Sequence, residues 1–120
     1  MARHNWADKF DYNRDYVTSI PMDFLIDHLS KISYDKVFIS DYLPERSQRI
    51  REALDFGIEP EDFEPIITCY YDVEDEIYII DGVHRTKVFY ERGIKQINSI
   101  FARYLSLRPL RLDPSEIDTL

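Results

Sequence analysis

The sequence predicts a single α+β domain, a small mixed sheet with helices packed on it, and three observations carry that expectation. The first is size, since 120 residues fill one ordinary hydrophobic core and leave no length for a second. The second is composition: 44% hydrophobic and 14% aromatic residues with only 3 Gly offer enough apolar surface to offset the entropy of ordering the chain. The third is the alternation of short β-branched or aromatic runs with segments of helical period, ending in a strand, tight turn, helix and strand between Glu76 and Tyr104.

Taken in order, Ala2 to Tyr16 is polar and aromatic without a period, so residues 1–18 read as an arm, 19–104 as the domain and 105–120 as a tail. Ile20, Phe24, Leu25, Leu29 and Ile32 share one helical stripe. With Ser19 as cap and Pro21 tolerated in the first turn, they predict a helix over 20–32. Lys36 to Ser40 is short, β-branched and aromatic between polar turns, which predicts a strand, and Asp41 to Glu45 a loop. A helix over 46–56 follows, with Ile50, Ala53 and Leu54 on its apolar side and Gly57 as its stop. Pro60 and Pro65 keep the next stretch extended. Ile66 to Tyr71 and Glu76 to Ile80 predict two strands joined by the acidic hairpin Asp72 to Asp75. Asp81-Gly82 breaks the second strand, a helix runs from Val83 to Arg92, Gly93 closes it, and Ile97 to Tyr104 returns as a strand. The tail holds Pro109 and Pro114 and is expected to dock back as a short helix after Pro114.

Charge and cysteine count narrow the function. With 15 basic and 23 acidic residues the net charge is -8, so the molecule as a whole repels polyanions and a DNA-coating role is not expected. No apolar run approaches the roughly 20 residues needed to span a bilayer, and the first ten residues lack the apolar stretch of a signal peptide. A cytoplasmic protein without membrane contact is expected. The single cysteine, Cys69, permits no intrachain disulfide and no thiolate zinc site. It reads as a small buried side chain within a strand. His28 lacks a second ligand one turn on, and the acids from Asp72 to Glu76 lack calcium-loop spacing, so neither predicts a metal site.

Chemistry concentrates at Asp81-Gly82-Val83-His84-Arg85, which directly follows an apolar strand and opens a helix. Free backbone N–H groups and the positive end of a helix dipole meet there, which suits an anion. Gly82 allows a sharp turn and close approach, Arg85 brings an exposed forked cation, and His84 brings a donor able to move a proton near neutral pH. A plainer reading makes Asp81 a helix cap, Arg85 the partner of a surface acid and His84 a solvated ring. Arg46 and Arg49 are unusual as well, because cations in the first turn of a helix oppose its macrodipole. Either they face a bound anion or Glu45, Glu52 and the acidic surface neutralise them.

The run from Lys36 to Tyr104 resembles the N-terminal fold of the ParB and sulfiredoxin superfamily. The pieces occur in order: KVFISDYL as strand and loop, PERSQRIREALDFG as helix, EPIIT as strand, IYIIDGVHRTKVFYERG as strand, turn and helix, and INSIFARY as the last strand. The superfamily's phosphate-gripping Gly-x-x-Arg or Gly-x-His-Arg turn matches Gly82-Val83-His84-Arg85. Val83 stands where sulfiredoxin chemistry needs a cysteine, which argues against sulfinic acid repair. Leu105 to Leu120 holds neither a Glu-Asn-x-x-Arg motif nor a helix-turn-helix, which argues against a CTP-gated DNA clamp. Free-serine kinases of the superfamily carry a similar Asp-Gly-x-His-Arg turn and an acid in the loop that Asp41 and Glu45 occupy here, although they are longer.

The resemblance implies a small nucleotide-binding domain taking ATP or ADP, with Mg2+ as an accompanying ion, and an activity of phosphotransferase or nucleotide hydrolase type. The ligand would sit at the turn from Gly82 to Thr86, with Asp81 orienting the turn or the metal. Arg85, Arg46, Arg49 and His84 would neutralise phosphate charge, and Asp41 or Glu45 would act as base. Two other classes stay open. One is a ParB-like nuclease; the other is a non-enzymatic, mobile-element or defence-related module that binds a protein partner through its arm or tail.

Overall fold

Apolar and β-branched runs build a mixed sheet from β1 (Phe10–Asp11), β2 (Thr18–Pro21), β3 (Ile66–Tyr71), β4 (Glu76–Asp81) and β5 (Gln96–Tyr104). The structure, a computed structural model, describes residues 10–11, 17–40, 42–71 and 74–104. The predicted helix after Pro114 and most of the arm lie outside these residues. β5 is flanked on one side by β1 and β2, both antiparallel, and on the other by β3 in parallel; β3 then pairs antiparallel with β4. β3 is thus an inner strand, and Ile66, Ile67, Thr68, Cys69 and Tyr71 are all buried, the near-continuous apolar run that a strand covered on both faces requires. Cys69 is buried as expected, and the surrounding desolvation pushes its thiol up, away from thiolate character.

Four helices accompany the sheet: α1 (Met22–His28), α2 (Lys31–Phe38), α3 (Pro44–Phe56) and α4 (Val83–Glu91). The architecture is α+β. The core gathers Ile20 from β2, Met22 and Leu25 from α1, Ile66 and Ile77 from the sheet, Phe89 from α4 and Ile97 from β5. No helix among the described residues is long and apolar enough to cross a membrane.

The predicted helix over 20–32 divides into three pieces. Ile20 reaches the core from β2, opposite Ile97 of β5, rather than from a helical stripe. Pro21 precedes α1, and Leu29 and Ser30 are extended between α1 and α2. Lys36 to Ser40 is not a strand, because Lys36, Val37 and Phe38 complete α2. Val37 is fully buried in the helix one turn beyond Ser33, and that packing overrides its local β preference. The 3₁₀ turn Pro60–Asp62 also interrupts the stretch expected to be extended.

Among the described residues the outer edge of β4 pairs with no strand, only with Leu29 through a single bridge to Ile77, and two serines complete it. The Ser30 N–H donates to the Ile77 carbonyl at 2.8 Å, and the Ile79 N–H donates to Ser33 Oγ at 2.8 Å. The Ser33 N–H in turn donates to Ser30 Oγ at 3.3 Å, capping α2. Both side chains are buried, so the cap of one helix also closes the sheet. Ser33→Ala leaves the buried Ile79 N–H without an acceptor and is expected to lower stability by about 1–3 kcal/mol. Ser19→Ala, which removes an exposed bond to Gln96, should change it by less than about 0.5 kcal/mol in the same urea titration.

Candidate anion-binding site

α4 starts immediately where β4 ends, and Gly82 makes the connection with φ 115° and ψ 23°. A side chain there would be strained by that φ, and its Cβ would also overlap the Ile66 side chain at the start of β3. Thr86 fastens the turn from below: its N–H and its hydroxyl both donate to the Gly82 carbonyl at 2.9 Å. Thr86 is fully buried, so it shapes the turn and does not face a ligand, contrary to the expectation from sequence. The N-cap of α4 is Gly82, which has no side chain to accept from the first-turn N–H groups of the helix.

α3 lies beside α4 with its N-terminus at the same end. Ser47 in the first turns of α3 meets His84 in the first turn of α4, whereas Arg51 donates to Glu91 at 2.6 Å and Arg92 to Asp55 at 2.7 Å toward the two C-termini. α3 begins at Pro44, two residues earlier than expected, after Leu43 in a left-handed conformation with φ 49°, and it too has no side-chain cap. Two helix N-termini therefore bring their positive dipole ends to one place.

Between them is a cleft of about 380 Å³. Arg46, Arg49 and Ile50 of α3 form one wall, and Asp81, Gly82, His84 and Arg85 form the other. Three guanidinium groups face one carboxylate, so the cleft carries a net charge of +2 in a chain whose total is -8. Arg46 and Arg49 are exposed, and neither makes a side-chain hydrogen bond or ion pair with a described residue, so neutralisation by Glu45 or Glu52 is not what holds them. Arg85 differs from the exposed cation expected from sequence. Its side chain is only 19% exposed, 3.7 Å from Asp81 and 3.5 Å from the Pro65 carbonyl. Its truncation would therefore cost stability as well as ligand contact.

The His84 ring is half-buried, stacked on Tyr42 with centroids 6.0 Å apart, and its Nδ1 is 3.1 Å from Ser47 Oγ. Burial, reinforced by the cationic Arg46, Lys87 and Arg85 against a weaker opposing effect of Glu45, holds its pKa below the usual histidine range. Of the expected base carboxylates, Glu45 is exposed and does not line the cleft, although its charge acts on His84, and Asp41 lies outside the described residues. Ser47, Tyr42 and Ile50 escaped the sequence reading. A serine inside the charged run PERSQR gives no signal until the helix is seen to bury it.

Fold and cleft together define a small α+β domain with a basic cleft between paired helix N-termini. Searches of protein-family models, curated proteins and solved structures found no match to this chain.

Because His84 has a lower pKa folded than unfolded, the unfolded chain binds more protons between the two values, and stability decreases as the pH is lowered across that window. The loss begins as pH drops through the ordinary histidine value, about 6.5, and is complete below the depressed folded pKa. NMR titration of the His84 ring should show a midpoint below about 6.5, and His84→Gln should flatten this part of the stability profile.

Proposed function

We propose that the chain is a nucleotide-binding domain whose cleft holds the phosphates of ATP or ADP. The observation that carries this reading is the convergence of Arg46 and Arg49, neither engaged by a described acid, on the same cleft as Arg85 and the N-terminus of α4. An oxyanion at the Gly82 turn would accept from first-turn N–H groups, while the three guanidinium groups supply forked, permanently charged donors. The Gly82-Val83-His84-Arg85 turn keeps the strand-to-helix place that the resemblance to the ParB and sulfiredoxin superfamily gives it, although the KVFIS piece is helical rather than extended.

The geometry favours binding over turnover. Among the described residues Asp81 is the sole carboxylate lining the cleft and lies 3.7 Å from Arg85, while Glu45 stands outside it. No cluster of three His, Cys, Asp or Glu side chains suited to a metal occurs among the described residues, so they supply no cage of their own for Mg2+. Affinity should therefore come from the arginines. The alternative of a protein-docking module is favoured by Phe56, which is 88% exposed at the end of α3 beside the exposed Ile58.

Calorimetric titration with ATP, ADP and CTP tests the proposal. Wild type should bind ATP or ADP with little dependence on Mg2+. Arg46→Ala and Arg49→Ala, which break no interaction with described residues, should each weaken binding about tenfold or more at unchanged stability, given ~1.5–3 kcal/mol for a charge-assisted bond. Absence of binding to all three nucleotides would leave the docking reading as the better one.

A further inference from the structure

Ser47 is 2% exposed, and its hydroxyl has one partner among the described residues, Nδ1 of His84 at 3.1 Å. That bond has two possible directions. If Nδ1 carried the proton and donated to Ser47 Oγ, the serine's own hydroxyl hydrogen would be buried without an acceptor. An orphaned buried donor is costly, whereas a hydroxyl that donates to a bare ring nitrogen satisfies both groups. The satisfied arrangement puts the ring proton on Nε2, the one polar atom of the His84 ring that remains for the cleft it lines.

We infer that Ser47 fixes His84 as the Nε2–H tautomer, so that the ring presents an N–H donor to an anion in the cleft and does not accept a proton there. This rests on the proposed anion role of the cleft for its purpose, though not for the tautomer itself. It replaces the proton-moving role expected of His84 from sequence. A ring surrounded by Arg46, Arg85 and Lys87 stays neutral, and a neutral ring committed to Ser47 through Nδ1 has no lone pair left to offer. Every polar group that the cleft offers an anion, apart from Asp81, is then a donor. The ligand portion it suits is acceptor-only, as an ionised phosphate is. Ser47 acts as a positioning residue, holding the His84 ring from the neighbouring helix α3.

The test is long-range proton–nitrogen NMR correlation of the histidine rings in ¹⁵N-labelled protein above pH 7.5, with His84 assigned by its loss in His84→Gln. Wild type should show Nδ1 bare and Nε2 protonated, with no Nδ1–H population. Ser47→Ala should admit the Nδ1–H form, and Ser47→Thr, which keeps the hydroxyl, should restore the wild-type pattern. A protonated Nδ1 in wild type, or identical tautomer populations in wild type and Ser47→Ala, would overturn the inference. If Ser47→Ala does not fold, the wild-type and Ser47→Thr spectra decide it. Inorganic phosphate and ADP serve as probes of the consequence. His84→Gln, whose amide N–H can replace Nε2–H, should bind within about threefold of wild type, and His84→Ala about tenfold weaker, the factor that one charge-assisted bond supports. Equal loss in both variants would overturn the donor role. If neither probe binds wild type, the nucleotide reading falls while the tautomer spectrum of the free protein still judges Ser47.

Discussion

The closest constraint in the molecule is the approach of Gly82 to Ile66. The sheet requires β3 to begin beside the end of β4, and α4 must leave that point without a linker, so the turning residue is pressed against a buried isoleucine in a left-handed conformation. Only a residue without Cβ meets both demands. From that position follow the orientation of α4, the burial of Thr86 beneath the turn, and the placement of His84 and Arg85 on the cleft wall. The cleft is therefore a property of the core as much as of the surface. Gly82 in its lining rests on the first residue of an inner strand, and its walls are helix ends whose direction the core sets.

Electrostatics in the cleft runs against the rest of the chain. Cations in the first turns of α3 oppose its dipole, and three guanidinium groups near one another repel. Such an arrangement is retained at a cost in stability, which an ionised ligand would offset. Asp81 relieves part of it by standing beside Arg85, and the neutral His84 avoids adding to it. The cleft is thus cationic while its least exposed cation remains partnered.

Legibility in the sequence followed the locality of the physics. Ile66 to Tyr71 and Glu76 to Asp81 were readable because alternating or continuous β-branched runs bounded by turns depend on few distant contacts. The Gly82 turn was readable because glycine between a strand and a helical period has few other uses. Lys36 to Phe38 was not, since Val37 and Phe38 carry β preference and only their packing in α2 makes them helical. Nor did Ser30 and Ser33 announce that they would stand in for a missing strand, because a serine's role depends on which buried amide it meets. The same holds for Ser47. Polar residues that act through one distant partner leave no period to read.

The attachment of α3 carries a consequence for motion. Ser47 is its one fully buried side chain, Ile50 and Leu54 only lean on the core, and the pairs Arg51–Glu91 and Arg92–Asp55 that clasp its far half are exposed and open to screening by salt. Such an element sits at the low end of local unfolding free energies, so it opens far more often than the sheet beneath it. An anion gripped from both walls would bridge the near ends of α3 and α4 just where the protein itself supplies a single hydroxyl. Occupancy would then be written into the amide exchange of α3 as protection along the whole helix, and the domain would report its ligand through rigidity rather than through a change of shape.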